Sequence, residues 1–164
     1  MHRVIILALF TAALLSNHAA HAQAPGAAPA VTYDAELAKS LGGNDNGNDN
    51  GNDNGIRPYV LVILKTGPNK MAPGSERDKM FKGHFANMER LAGEKKLAFA
   101  GPLDGVDNRR GIFIMATPDI DVARSDVATD PVIINGEMVA EYHQLFGSAG
   151  LMAVPGIHGK IVKK

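Results

Sequence analysis

The alternation of apolar runs and amphipathic stretches predicts an α+β fold: a four-stranded antiparallel sheet carrying two helices on one face. Three observations point there. A continuous apolar run at 59–64, rich in β-branched residues, is bounded by Pro58 and by Gly67-Pro68, as a central strand is. The stretch 75–96 spaces its apolar residues at the helical period. Further short apolar runs and one more helical stretch complete the order strand, helix, strand, strand, helix, strand.

The chain opens with Arg3, a nearly unbroken aliphatic run over 4–15, and Ala20-His21-Ala22. Basic start, apolar middle and small-residue end are the layout of a cleavable export signal over 1–22. The apolar run falls short of the roughly 20 residues of a spanning helix, so a retained anchor is the weaker alternative. No cysteine is present for a lipid anchor. The expected location is the periplasm or the outside of the cell, with membrane contact only transiently through the signal.

Residues 23–56 read as a flexible tether. Ala, Pro and Gly over 23–30 cannot bury enough surface to order themselves. A short helix at 33–41 is expected, with Asp34 as N-cap and Gly42-Gly43 as its stop. Asn-Asp-Asn-Gly then repeats three times from Asn44 to Gly55. Alternating Asp and Asn resembles part of a calcium loop, but the closing glutamate and flanking helices are missing. Turn-forming coil is the stronger reading.

The folded domain is expected over 57–150. After the 59–64 strand, Ser75 is placed to cap a helix running to Lys96, with Phe81, Phe85, Met88 and Ala92 as its buried stripe. Strands follow at 97–100 and 111–116, joined by a turn at 104–110. Pro118 and Asp119 start a second helix through Thr129, and Asp130-Pro131 stops it. A fourth strand runs over 137–146. A competing reading uses Asn135-Gly136 as a tight hairpin joining 132–134 to 138–140. The tail 151–164 could add a strand to a neighbouring subunit, against which stand Pro155-Gly156 and Gly159.

This order is the ferredoxin-like βαββαβ arrangement, and it leaves one sheet face uncovered. Two copies packed face to face would cover it, giving a dimeric α+β barrel with a cavity between sheet and helices. A homodimer is therefore the expected assembly.

Composition narrows the function. Lys and Arg total 17 and Asp and Glu total 17, so no electrostatic footprint for nucleic acid exists. Without cysteine, disulfides, thiolate catalysis and thiolate metal sites are excluded. Tryptophan is absent as well, which argues against a sugar-stacking platform.

His84 is the first candidate for chemistry. At 100° per residue it lies on the same side of its helix as Phe81 and Met88, facing the core or a cavity. An imidazole titrates near neutrality and can act as a base when a carboxylate orients it. Asp130 is the candidate partner, although Asp before Pro is also an ordinary helix stop. Arg110 could meet an anionic substrate. Gly101 and Pro102 end a strand and could shape a cavity wall. His143, on the fourth strand, could join the site or lie at a dimer interface. His84 and His143 lack the local spacing of a metal pair, so no metal is expected.

Gly83-His84-Phe85-Ala86-Asn87-Met88-Glu89-Arg90-Leu91, then Leu97-Ala98-Phe99-Ala100-Gly101-Pro102-Leu103, then Ala128-Thr129-Asp130-Pro131, resemble the YCII-related family. The resemblance covers about 59–146, with three motifs in matching order and spacing. It implies a small dimeric ferredoxin-like protein with a His84–Asp130 pair in its cavity, needing no metal or organic cofactor. Some members of that family are dehydrochlorinases of chlorinated hydroxyquinols, and others resemble muconolactone isomerases. The implied capacity is lyase- or isomerase-like: proton abstraction and return on a small organic compound, with His84 as base and Asp130 fixing its tautomer. The leader, tether and tail depart from the compact family domain, as does Val132, where relatives often carry an aromatic residue or alanine. A rival reading is a non-catalytic module of the same fold that binds a small ligand or serves assembly.

Overall fold

A computed structural model describes residues 31–43 and 55–163. The expected export signal at 1–22, the stretch 23–30 and the repeats up to Asn54 lie outside the described residues. The elements in chain order are α1 (Ala35–Ser40), β1 (Ile56–Thr66), α2 (Ser75–Gly93), β2 (Leu97–Pro102), β3 (Arg109–Met115), α3 (Ile120–Val127), α4 (Pro131–Ile134), β4 (Met138–Ser148) and α5 (Val154–Ile161). The sheet order is β2-β3-β1-β4 and every pairing is antiparallel. This is the predicted α+β class.

β1 is central because it is the apolar, β-branched run. Val60 sits opposite Met115 on one side and Gln144 on the other, and Val62 opposite Phe113 and Tyr142. Alternation sends Val60, Val62 and Leu64 toward the helices, where they meet Phe113, Met80, Leu91 and Val127 in one core. Burying each such side chain stabilises the fold by about 1.5–3 kcal/mol. Leu61, Ile63, Ile112 and Ile114 take the opposite face and stay partly exposed.

Several expectations are corrected. The buried stripe of α2 is Met80, His84, Asn87 and Leu91, with Phe85 57% exposed. His84 faces inward as its helical position predicts, and Asn87 joins it, its Oδ1 accepting from Thr129 Oγ1 across the helix interface at 3.1 Å. Phe81, Met88 and Ala92 pack on the core from its flank. Ser75 is the first helical residue and caps nothing; Gly74 holds the N-cap position. The second helical stretch breaks in two. Asp119 caps α3, accepting from Asp121 N at 2.7 Å and Val122 N at 3.3 Å, and Asp130 opens α4 as well as ending the run. With Pro131–Ile134 helical, the Asn135-Gly136 hairpin does not form.

The ends also differ. The compact unit starts at Asp34, ahead of the expected 57, because α1 is tied down. Asp34 caps it through Leu37 N at 2.9 Å, and Arg57 Nη1 donates to Leu41 O at 3.0 Å. The tail is helical and gives no strand: Pro155 stands in the first turn of α5, where its missing N–H costs nothing. No helix among the described residues is long and apolar enough to cross a membrane.

Candidate active site

His84 and Asp130 come from separate helical elements, and three local features bring them together. Pro131 biases Asp130 to extended backbone, seen as φ −79° and ψ 128°, and occupies the first helical position of α4. Gly83 lets α2 approach closely, since a Cβ there would lie 3.0 Å from Pro131 Cγ. Arg90 Nη2 donates to Asn87 Oδ1 at 2.8 Å and to Thr129 Oγ1 at 3.0 Å, tying α2 to the residue before Asp130.

The result is a His84 Nδ1 to Asp130 Oδ2 separation of 2.7 Å, with His84 8% exposed and Asp130 fully buried. Asp130 Oδ1 accepts from Val132 N at 3.1 Å, so each carboxylate oxygen has a partner. An ionised carboxylate only accepts, which puts the imidazole proton on Nδ1 and the free lone pair on Nε2. The ring is held by aromatics: Phe113 stacks at 6.0 Å, Phe81 meets it edge-on at 6.1 Å, and Phe85 lies tilted at 5.4 Å.

The imidazole lines a cavity of about 350 Å³ between α2 and the β2–β3 end of the sheet. Leu64, Met88 and Met138 supply aliphatic wall, with the three phenylalanines beside them. Ala100, Gly101, Pro102 and Gly111 form the small-residue side, and Arg110 brings a cation. The predicted Gly101, Pro102 and Arg110 thus share one hollow with His84. His143 does not join them. Ala140 and Tyr142 pack on the core, so strand alternation turns His143 to the other face, where it is exposed. Among the described residues no group of three or more His, Asp or Glu is placed to hold a metal ion.

A second buried carboxylate escaped the sequence reading. Glu137 is fully buried; its Oε1 accepts from Arg77 Nη2 at 2.7 Å and its Oε2 from Met71 N at 2.6 Å. Burial pushes this carboxyl upward, but the Arg77 hydrogen bond, the Met71 N–H and the charges of Arg77 and Arg110 outweigh it and hold it below the usual carboxylate range. Arg77 also lies 4.6 Å from the centre of the Phe81 ring, which in turn meets His84. The only sequence signal was a charge abutting the apolar strand, directly after Asn135-Gly136.

No protein-family model matches the chain, and no curated protein does either. Among solved structures it is similar to the 5-chloro-2-hydroxyhydroquinone dehydrochlorinase of Burkholderia phenoliruptrix, in complex with 2,5-dihydroxybenzoquinone. The identity is 23%, over 54% of this chain and 90% of that one, with a TM-score of 0.34. The architecture described above rests on strand order and register rather than on this likeness.

Proposed function

We propose that the protein is a cofactor-independent acid–base enzyme, lyase- or isomerase-like, acting on a small organic compound, and that it belongs with the YCII-related proteins. The observation that carries the reading is the 2.7 Å contact between His84 Nδ1 and Asp130 Oδ2 at the wall of a cavity. His84 Nε2 takes a proton from the substrate, and Asp130 holds the imidazolium it becomes. Return of that proton to a neighbouring atom is an isomerisation. Departure of a leaving group with its bonding electrons, as the new double bond forms, is an elimination. Arg110 binds an anionic or enolate oxygen on the substrate.

The test is a panel of hydroxylated aromatics, chlorinated hydroxyquinols and lactones, offered to the protein and to His84→Ala. Turnover that disappears with the imidazole supports the reading. Binding without turnover, unaffected by the substitution, favours the non-catalytic module instead. A proton NMR spectrum adds an independent readout: the Nδ1 proton should be strongly deshielded and should vanish in Asp130→Asn.

Export and dimerisation belong to the same proposal. The leader supports export, checked by N-terminal sequencing that starts at Gln23. The partly exposed aliphatic face of Leu61, Ile63, Ile112 and Ile114 supports a homodimer, checked by light scattering, with a monomer as the contrary result.

A further inference from the structure

A second hollow of about 320 Å³ adjoins the His84 cavity. Phe85, Met88 and Ala100 line both, so these side chains border the two spaces. Ala92 and Leu97 continue its wall along α2 and β2, and the outer wall is α5, through Val154, Pro155 and His158. A tail helix that served only to cover the β2 edge would press its apolar side chains onto it. α5 instead buries no residue, leaves Ile157 and Ile161 57% and 74% exposed, and leaves space between itself and β2.

We propose that this hollow is a subsite for an apolar arm of the substrate, so that the substrate class is amphiphilic: a hydroxylated or anionic head at His84 and Arg110, and an alkyl or aryl arm under α5. The inference rests on the reading of the His84 cavity as the substrate site and adds the shape of what enters it. The partition can yield, because Met88 is unbranched and takes many rotamers, and Phe85 is half in solvent. Glu89 and His158, the two polar side chains at this hollow, are exposed, and the rest of its lining is apolar. α5 is thereby a specificity element, and the tail has a reason to be ordered.

The experiment reads binding alone. Phenol, 4-ethylphenol and 4-butylphenol are titrated into the full-length protein by NMR, following the His84 ring protons. Each buried methylene should tighten binding about threefold to fourfold, so 4-butylphenol should exceed 4-ethylphenol about tenfold. In Ala92→Phe, which fills the hollow, that increment should vanish while phenol binds as before. A chain ending at Ala153 lacks the outer wall and should lose the increment too, which covers the case that Ala92→Phe does not fold. Equal affinities along the series overturn the proposal. So does an increment that survives both variants, or 4-butylphenol that fails to shift the His84 signals. Absence of turnover in the substrate panel counts against the reaction and leaves this series intact, so the two failures are distinguishable.

Discussion

Two fully buried carboxylates, Asp130 and Glu137, lie close together in the chain and end in different chemical situations. Glu137 faces a guanidinium that never loses its charge and a backbone N–H, on the interior side of the loop that follows β1. Asp130 faces an imidazole, a ring that can donate at one nitrogen and accept at the other, and that imidazole opens onto a cavity. Burial alone therefore does not mark a reactive acid. The partner decides: an arginine makes the carboxylate a fixed brace, a histidine makes it a handle on a movable proton.

Function separates the pairs most sharply. On whichever substrate the panel reveals, His84→Ala and Asp130→Asn should each lower kcat about 10²–10⁴-fold. Asn can still cap α4, so Asp130→Asn should cost little stability in urea denaturation. An Asp130→Asn variant that keeps its kcat but unfolds at much lower urea would reverse the roles assigned here.

Arg77→Met should do the opposite. It strands Glu137 without a counter-charge, and should cost about 3 kcal/mol in urea denaturation at neutral pH. The acid limb gives the sign. Glu137 titrates below its unfolded value of about 4.3, so its contribution is fully present above that pH and is lost as pH falls through the folded value. In Arg77→Met, burial dominates and protonation relieves the stranded charge. The gap between variant and parent should therefore narrow as pH falls from 7 toward 4, and a constant gap contradicts the ion-pair account.

Gly83→Ala is the finest probe. The gain in helix propensity, about 1 kcal/mol, opposes the crowding of Pro131, so the net change in stability should be small. The displaced Pro131 should still weaken the neighbouring His84–Asp130 contact, visible as an upfield shift of the Nδ1 proton. An unmoved signal would mean that the two helices have more slack than the 3.0 Å approach to Pro131 Cγ allows.

Element type and order could be read from the chain because each strand and helix announces itself locally. The 59–64 run is apolar throughout and half of it is β-branched, and 75–93 repeats apolar residues at helical spacing. Which face of α2 is buried could be read only in part: the helical period turns His84 inward, but Phe85 outranks Asn87 on any hydropathy scale. His84 and Asn87 go inside where Asp130 and Thr129 meet them, and those two partners are distant in sequence. The break between α3 and α4 was hidden for a similar reason: Asp130-Pro131 is both a stop and a start.

Sequence by itself determined the class of fold, the pairing candidates His84 and Asp130, and three of the cavity residues. Local propensity and short motifs carry that much. Tertiary structure alone decided that Glu137 is buried against Arg77, that His143 faces away, and that the tail folds into a helix beside β2. Those outcomes depend on strand parity and on partners far apart in the chain, and parity is set only when the sheet closes around its core.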